Sequence, residues 1–420
     1  MRRPDGPRVA YVISEYPIVS HTFIQREIEA VEAAGVDVLP VAMAPAPPHE
    51  IVSTGASRAA ATTHTIRPVR AGTLLKAVLL PTLRRPGPHL RGFLRALGQG
   101  APGLRNRVWR AFYFVEALLL RHYCRSEGVR HIHAHHANVS AEIARMAAET
   151  GRDLGEDWSW SFTMHGCTEF YDLIHYDLAD KASAANFVAA VSDYTRVQLW
   201  RILDRPHWDD IHVIHCGVET DAFVPRAASP ADGRLRVLFV GRLVPEKGLP
   251  VLLDAIASLA ARRDDVALTI VGDGPLRADL ERRVDAEELP VTFTGTISED
   301  EMPGVFVDHD LFVMTSFGEG LPVVLMEALA CELAVVAPGI SGIPELVIDD
   351  ETGRLVPPGR PEELAAVIAE LADDPTERAR LGAAGRALVQ SQFESRLEGA
   401  RLAHLFADLL GDVPEMERSR

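Results

Sequence analysis

The chain has 420 residues, which is long for one domain and comfortable for two domains of about 200 residues each. Hydrophobic residues make up 47% of it, which indicates globular cores, yet no apolar run approaches the ~20 residues that span a bilayer. The net charge of -16 argues against a general nucleic-acid binder. Four scattered cysteines without a C-x-x-C pair, and an opening that leads into a strand and not into a signal sequence, favour a cytoplasmic location.

The first half predicts alternating strands and helices. An opening strand (8–14), a helix closed by Gly35 (22–35) and a second strand (36–43) come first. After a long basic stretch the predicted elements are a strand (129–137), a helix (140–151) and three more strands (159–166, 185–192 and 211–218). Such alternation is typical of α/β architecture with parallel sheets.

The basic stretch is the most uneven part of the charge distribution. Residues 67–130 contain thirteen Arg or Lys and two acids, a local excess of +11 that leaves about -27 for the rest. Leucine-rich and aromatic runs such as TLLKAVLLPTL and WRAFYFVEALLLRHY lie among these charges. One interpretation is peripheral contact with an anionic membrane, at the inner face of the plasma membrane. The other is a helical insertion whose arginines are solvated or pair with acids elsewhere.

The alternation restarts after a loose segment, RAASPADGR, that begins at residue 226. Small and polar residues of this kind predict an interdomain linker, with the boundary between residues 228 and 229. Strands are predicted at 234–243, 266–272, 291–297, 311–316 and 333–339, and helices at 249–263 and 276–284. We therefore predict two Rossmann-like domains, 1–228 and 229–393, followed by a helix and tail over 394–420.

Two carboxylates eight residues apart, Glu319 and Glu327, stand in SFGEGLPVVLMEALA. Glu319 lies in a glycine-flanked turn where the backbone can approach a ligand, and Pro322 suits the first turn of a helix that carries Glu327. Carboxylates accept hydrogen bonds from paired hydroxyls, and helix N-termini attract phosphates. The pattern predicts a site for a phosphorylated, polyhydroxylated ligand.

The loop GRLVPEKG follows a predicted strand and contains Gly241, Arg242 and Lys247. Gly241 provides a tight turn, and the two cations leave the strand end just before a helix. Cations and oriented backbone amides at such a place suit a diphosphate and can replace a metal ion.

Together, GRL-x-x-x-KG, the Glu-x7-Glu pattern within EGLP…EALA, and SGIPEL with GRLVPPG resemble the retaining, nucleotide-sugar-dependent glycosyltransferases of the GT-B fold, in the group classified as family 4. The resemblance implies an α/β protein with two Rossmann-like domains that face a central cleft. It implies an acceptor-binding N-terminal domain, a donor-binding C-terminal domain, and a final helix that packs back across their junction. No cofactor or metal is expected beside the nucleoside diphosphate sugar.

The resemblance also implies roles for individual residues. Arg242 and Lys247 contact the donor phosphates, Glu319 reaches hydroxyls of the transferred sugar, and Glu327 accepts the ribose hydroxyls. The other expected donor-binding residues are Gly272, Thr294, Gly295, Gly320 and Leu321. His165, at the end of SFTMHG, touches the donor sugar near the anomeric centre.

The opening SEYPIVSHTFIQREI resembles the variant found in exopolysaccharide and colanic-acid-type transferases. Ser20, His21 and Thr22 are expected to begin a helix and to face the phosphates or the acceptor, and His135 or His136 to line the cleft. Strand alternation would place His131, His133 and His135 on one face. Imidazoles ligate zinc, but without paired cysteines or an HExxH context we expect no metal there.

We expect a retaining glycosyltransferase that moves a hexose or N-acetylhexosamine to an acceptor hydroxyl. A UDP-sugar is favoured as the donor, and GDP-mannose remains open. A lipid-linked saccharide of exopolysaccharide biosynthesis is the expected acceptor; a soluble natural product is the alternative. A front-face mechanism fits the absence of an obvious nucleophile, while a carboxylate could still serve in a double displacement. A UDP-sugar epimerase and a non-catalytic sugar-nucleotide sensor are less favoured alternatives.

Overall fold

The computed structural model describes residues 6–166, 168–225 and 233–411. The chain divides into two compact units, one formed by Met1–His215 with Glu398–Arg420 and the other by Cys216–Leu397. The predicted boundary between residues 228 and 229 lies outside the described residues.

The first unit contains a seven-stranded parallel sheet. Its strands are β1 (Arg8–Tyr16), β2 (Asp37–Pro45), β3 (His64–Thr65), β4 (His131–His135), β5 (Ser159–Met164), β6 (Val188–Ala190) and β7 (Ile211–Val213). They lie in the order β3-β2-β1-β4-β5-β6-β7. Val9 of β1 is aligned with Val38 of β2 and with His131 of β4, so β1 is the strand at which the order reverses. The strands predicted in the first half are confirmed, while the two-residue β3 was not predicted.

The helices of the first unit include a large insertion between β3 and β4. They are α1 (Thr22–Ala33), α2 (Thr54–Thr62), α3 (Ala71–Leu74), α4 (Leu80–Arg84), α5 (Pro86–Gly98), α6 (Leu104–Ser126), α7 (Val139–Asp153), α8 (Thr168–Tyr171), α9 (Leu173–Tyr176), α10 (Leu178–Ala184) and α11 (Asp193–Trp200). A π-helical turn, Leu75–Leu79, joins α3 to α4. None of the helices in the described ranges is both long enough and apolar enough to cross a bilayer.

The second unit contains a six-stranded parallel sheet with the same kind of reversal. Its strands are β8 (Leu235–Val240), β9 (Val266–Val271), β10 (Val291–Gly295), β11 (Leu311–Val313), β12 (Ala334–Pro338) and β13 (Arg354–Val356), in the order β10-β9-β8-β11-β12-β13. The helices are α12 (Leu249–Ala260), α13 (Arg277–Ala286), α14 (Met302–Val307), α15 (Val323–Ala330), α16 (Ile343–Leu346), α17 (Pro361–Asp373) and α18 (Pro375–Gln392). The predicted strands are confirmed; β13 was not predicted.

Apolar residues on both faces of β1 explain why the first sheet is covered on both sides. Ala10 and Val12 belong to one core cluster, while Val9, Tyr11 and Ile13 belong to another. Because successive side chains of a strand point to opposite faces, the sheet is a central layer between two apolar layers.

The last helix, α19 (Ser395–Leu410), completes one of these apolar layers from residue Glu398 onward. Phe406 is fully buried, with its ring centroid 6.1 Å from that of Tyr11 and 5.3 Å from that of His133. Glu398 accepts a hydrogen bond from the backbone amide of His215 at 3.0 Å. The C-terminal helix is therefore part of the first unit's core.

Truncation of this helix's anchor is expected to destabilise the first unit. Phe406→Ala should reduce its free energy of unfolding by about 3–5 kcal/mol, because it removes a buried ring and leaves a cavity. Guanidinium unfolding followed by tryptophan fluorescence would measure this, since all five tryptophans lie in the first unit. Leu397→Ala, at a position of the same helix that is 45% exposed, is the matched control and should change stability by at most about 0.5 kcal/mol. Equal effects of the two changes would contradict the prediction.

Candidate functional site

In each sheet, polar side chains collect at the carboxyl ends of the strands, which we call the carboxyl edge of the sheet. The strand order reverses between β1 and β4 in the first unit and between β8 and β11 in the second. At such a reversal the connections leave toward opposite faces, so that the carboxyl ends of the two strands border an open crevice. The predicted site residues follow the carboxyl ends of the strands around these two positions.

In the second unit, glycines let the loops after β8 and β9 meet backbone to backbone. Gly272 has a φ of 129°, and a Cβ atom there would lie 2.1 Å from the carbonyl oxygen of Gly241. The amide of Gly241 donates to the carbonyl of Val271 at 3.0 Å, and that of Gly272 donates to the carbonyl of Gly295 at 2.9 Å. Gly272 and Gly295, both predicted site residues, thus shape this edge through their backbones.

A second close approach fixes the loop that contains Lys247. Gly248 has a φ of 65°, and a Cβ atom there would lie 2.1 Å from the carbonyl oxygen of Thr315. The Thr315 hydroxyl donates to the carbonyl of Lys247 at 3.0 Å, and the Phe317 amide donates to the carbonyl of Glu246 at 2.8 Å. The loops after β8 and β11 are therefore held together.

This contact brings two predicted residues, Lys247 and Glu319, into an ion pair. The Lys247 Nζ lies 2.6 Å from the Glu319 Oε1, and the two side chains are 23% and 11% exposed. Arg242, on the same loop as Lys247, is exposed and has no acid within 4.0 Å among the described residues. The edge thus offers one available cation and one cation already paired with a carboxylate.

The remaining predicted donor residues lie on neighbouring elements. Glu327 is in α15 and is 8% exposed, and Leu321, just before that helix, is 5% exposed. The carbonyl of Gly320 accepts from the amide of Gly342 at 3.2 Å. The helix is recorded from Val323, so Pro322 precedes its first turn instead of lying within it. Thr294 is exposed at the end of β10.

In the first unit, four predicted histidines gather at the reversal. The ring centroids of His136 and His165 are 4.7 Å apart, and those of His21 and His136 are 5.7 Å apart. The His135 Nδ1 lies 2.8 Å from the His165 Nε2. Thr22 begins α1, and Ser20 is exposed in the preceding turn. The structure thus brings His21, His135, His136 and His165 together; the roles expected for these residues stay predictions.

Behind this cluster, histidines and hydroxyls alternate along β4 and β5. His131 contacts the hydroxyls of Ser159 and Ser161, each at 2.8 Å. His133 contacts the hydroxyls of Ser161 and Thr163, also at 2.8 Å. Because each imidazole finds partners for both nitrogens, this buried row is satisfied without water or charge.

Two residues that the sequence analysis did not select, Glu27 and Tyr11, complete the cluster. The Tyr11 hydroxyl donates to the Glu27 carboxylate at 2.8 Å, and the Glu27 Oε1 lies 3.6 Å from the Nε2 of fully buried His135. Burial raises the pKa of Glu27 to about 7. The Glu27 carboxyl can therefore bind or release a proton near neutrality. It connects α1 to His165, because His135 lies between Glu27 and His165. The sequence feature that could have pointed to Glu27 is its position in TFIQREI, within the opening run that carries the resemblance to exopolysaccharide transferases.

The same group contains the residues with metal-ligand chemistry. Donor atoms of Glu27, His133 and His135 all lie within 4.8 Å of one another. Both ring nitrogens of His133 are already hydrogen-bonded to hydroxyls, so metal binding would have to displace one of those bonds. The expectation of a metal-free protein remains a prediction.

Solved structures identify the class of fold. HepE from Anabaena in complex with UDP-glucose is similar with a TM-score of 0.70 over 97% of this chain and 100% of that one, at 18% identity. Two parallel sheets with helices on both sides, in this order, define the GT-B fold, as predicted.

A family match covers part of the sequence, within the second unit. Residues 223–388 match the family described as glycosyl transferases group 1. The match over these residues, together with the GT-B fold, confirms the resemblance to group 1 glycosyltransferases that the sequence motifs indicated.

Curated relatives match over part of their length. The chain is 34% identical over 180 residues to the alpha-D-kanosaminyltransferase of Streptomyces kanamyceticus, covering 42% of this chain and 47% of the relative. It is 36% identical over 210 residues to the GDP-mannose-dependent alpha-(1-6)-phosphatidylinositol monomannoside mannosyltransferase of Mycolicibacterium smegmatis, covering 46% and 54%. It is 31% identical over 209 residues to the amylovoran biosynthesis glycosyltransferase AmsK of Erwinia amylovora, covering 48% and 51%. The match therefore spans about half the length of these relatives.

The histidine cluster predicts marked acid sensitivity of the first unit. Burial lowers the pKa of His21 and His136 to about 4 and of His131 to about 3, and it holds the pKa values of His133, His135 and His165 well below the usual range. In the unfolded chain these six groups bind protons below about pH 6.5, so stability falls as pH drops from 6.5 toward 4. Glu27 has the opposite sign, because only the folded state keeps it protonated between pH 4.5 and 7.

Denaturant unfolding followed by tryptophan fluorescence at pH 7.5, 6.5 and 5.5 would test this. Each buried histidine should contribute up to about 1.4 kcal/mol per pH unit below its unfolded pKa. His133→Gln should reduce the slope of stability against pH by about one proton, whereas Glu27→Gln should steepen it by about one. Equal stability of the first unit at pH 7.5 and 5.5 would refute the prediction.

Proposed function

We propose that the protein transfers a hexose or N-acetylhexosamine from a nucleoside diphosphate sugar to an acceptor hydroxyl, with retention at the anomeric carbon. The observation that carries the proposal is the Lys247–Glu319 pair beside exposed Arg242 at the carboxyl edge of the second sheet. Cations for a diphosphate and a carboxylate for sugar hydroxyls lie together in one unit. The family match supports a transferase, because the matched residues 223–388 include all three side chains.

Donor binding would exchange the partners of this ion pair. The diphosphate takes the place of Glu319 beside Lys247 and adds Arg242, while the released Glu319 accepts hydrogen bonds from sugar hydroxyls. Glu327 in α15 accepts the ribose hydroxyls, and Thr294 with the backbone at Gly272 and Gly295 borders the base. The 2.6 Å contact between Lys247 and Glu319 shows that both groups reach one location.

In the transfer step the bond between the anomeric carbon and the phosphate oxygen breaks, and a bond to the acceptor oxygen forms on the same face. The acceptor proton passes to the departing phosphate, whose charge Arg242 and Lys247 stabilise in place of a metal. His165 contacts the donor sugar. The orientation of its ring is held by His135, whose Nδ1 lies 2.8 Å from the His165 Nε2. Ser20, His21, Thr22 and His136 border the acceptor; a double displacement would need a carboxylate nucleophile as well.

The donor nucleotide is proposed to be UDP, since HepE, of the same fold, was solved with UDP-glucose. The mycobacterial-type relative named as GDP-mannose-dependent makes GDP the alternative. The acceptor is proposed to be a lipid-linked saccharide at the inner face of the plasma membrane, in line with the resemblance of the N-terminal run and with AmsK. Similarity to a kanosaminyltransferase favours a soluble natural product as the second candidate.

Thermal stabilisation by a panel of UDP, GDP and their sugar derivatives, with and without EDTA, tests the donor site. We expect one nucleotide and its sugars to raise the melting temperature, unaffected by EDTA, since binding to the folded state alone stabilises it. Stabilisation by GDP compounds would redirect the donor to GDP-mannose. Loss of the effect in EDTA would disprove the metal-free site, and no response to any nucleotide would refute the transferase itself. Turnover of the sugar nucleotide without acceptor would indicate an epimerase.

Removal of either member of the ion pair should impair transfer without unfolding the protein. Lys247→Ala is expected to lower kcat/KM by on the order of 10²–10³-fold, about 3–4 kcal/mol, because one stabilising cation is lost. Glu319→Ala should lower transfer comparably. A sugar-nucleotide assay with product detection measures both. Arg282→Ala, at an exposed Arg282–Asp279 pair of α13, is the matched control and should leave rates unchanged. Unimpaired transfer by Glu319→Ala would overturn the donor-site assignment.

A further inference from the structure

The helical insertion of the first unit has an unusual share of the exposed apolar surface. Of the twenty large apolar side chains that are exposed among the described residues, eleven lie within residues 69–112. They are Val69, Leu75, Leu79, Leu80, Leu83, Leu90, Leu94, Leu104, Val108, Trp109 and Phe112. Single exposed apolar residues are ordinary on a protein surface, but a concentration of this size marks an interaction surface.

These residues form rows along their helices. In the first half of α6, Leu104, Val108 and Phe112 are four residues apart, and they are 80%, 63% and 43% exposed. Leu90 and Leu94 have the same spacing in α5, at 57% and 58% exposed. Residues four apart share one face of a helix, so each helix presents an apolar stripe to solvent.

Twelve of the thirteen basic residues of 67–130 divide into two groups; the other, Arg130, is half-buried over the ring of Trp158. Five have an acid within 4.0 Å, and these are Arg67, Arg95, Arg110, Arg121 and Arg125. Seven are exposed and have no acid within 4.0 Å among the residues that the structure describes. One of these, Arg85, donates to the carbonyl of Leu154 at 2.9 Å. The other six are Arg70, Lys76, Arg84, Arg91, Arg105 and Arg107. The five paired arginines fit the interpretation of a helical insertion, and the membrane interpretation applies only to these six exposed residues.

The six uncompensated cations lie among the exposed apolar residues. Arg105 and Arg107 lie between Leu104 and Val108 in α6, and Arg91 follows Leu90 in α5. The paired arginines instead contact acids of other elements, as Arg110 does with Glu142 of α7 at 2.7 Å. The region that is apolar on its surface is therefore also the region of unneutralised positive charge.

The combination of exposed apolar stripes and unpaired cations indicates which kind of partner this surface binds. A second copy of the same surface would bring six cations against six cations. A nucleic acid offers nothing for the leucine stripes, and the chain's net charge of -16 repels it. An anionic lipid surface offers phosphates to the cations and an acyl boundary to Leu104, Val108, Trp109 and Phe112.

We propose that residues 69–112, with α5 and the first half of α6 at the centre, dock the protein on an anionic lipid bilayer. The apolar stripes enter the boundary between headgroups and acyl chains, and the six free cations contact lipid phosphates. The proposal deepens the proposed function, because it names the membrane surface at which the protein would meet a lipid-linked acceptor. It rests on the proposed function only for the reason why the protein would bind a membrane. Docking requires neither donor nor catalysis.

Flotation of the full chain with vesicles tests docking directly, without any nucleotide sugar. Vesicles of phosphatidylcholine alone are compared with vesicles containing 30% phosphatidylglycerol, at roughly 0.15 M and 0.5 M NaCl. We expect at least about tenfold stronger partitioning to the anionic vesicles, weakened by salt but not abolished because the apolar side chains also contribute. Equal partitioning to both vesicle types, or none, would overturn the proposal.

Two variants separate the apolar and basic contributions. Leu104→Ser with Val108→Ser should reduce partitioning by about tenfold or more at both salt concentrations. Arg105→Gln with Arg107→Gln should chiefly reduce the preference for anionic vesicles. The matched control is Val197→Ser with Arg201→Gln on and beside α11, where Val197 is 45% exposed, and it should float like the wild type. Circular dichroism and thermal melting establish that each variant is folded.

The outcomes distinguish this proposal from the transferase proposal. Vesicle binding without any nucleotide response would leave docking intact and refute the donor site, and the reverse result would refute docking alone. If light scattering detects a dimer that Leu104→Ser with Val108→Ser dissociates, while vesicles are not bound, the surface is a self-association interface and the proposal is wrong.

Discussion

Direct backbone contact between strand-end loops is the constraint on which the candidate donor site depends. Gly272 approaches the carbonyl of Gly241, and Gly248 approaches that of Thr315, at distances that leave no room for a side chain. These contacts join the loops after three neighbouring strands, so the backbone around Lys247 and Glu319 is fixed before any ligand arrives. Preorganised charges are effective because they need no rearrangement when charge develops on a ligand. The short apolar strands beneath them serve to set the spacing of these loops.

The first unit differs from the second because many of its polar side chains are buried inside the sheet and are not exposed at the strand ends. Histidine solves this because a neutral imidazole has one donor and one acceptor, and hydroxyls between successive rings can match either. The row from Ser159 to Thr163 is therefore satisfied with no net charge, at the cost of lowered pKa values. Glu27 and Tyr11 end the row at His135, next to His165. A rigid interior thus supports a histidine at the sheet edge.

Much of this could be read from the sequence, and the limits are physical. Strand alternation predicted both sheets, a strand end placed Arg242 and Lys247 on one loop, and a glycine-flanked turn before a helix was predicted for Glu319. The ion pair itself could not be predicted, because it joins residues 72 apart through the adjacency of β8 and β11. Glu27 reads as a solvated acid of an amphipathic helix until β4 is known to lie beside β1. Short strands such as β13, set between Gly and Pro, have too little periodicity to be recognised. The charge excess of residues 67–130 was evident, whereas its division into paired and unpaired cations required coordinates.

The pairing of Lys247 with Glu319 also bears on selectivity in a cell crowded with anions. An empty pocket with two unopposed cations would attract orthophosphate, ATP or any polyphosphate by charge alone. Here the carboxylate cancels one of the two positive charges, so a simple anion must displace a 2.6 Å contact and leave Glu319 without compensation. A ligand that supplies phosphate and hydroxyl groups together satisfies both side chains at once. In the proposed donor site, the resting ion pair would therefore favour ligands that supply phosphate and hydroxyl groups together over ligands that supply negative charge alone.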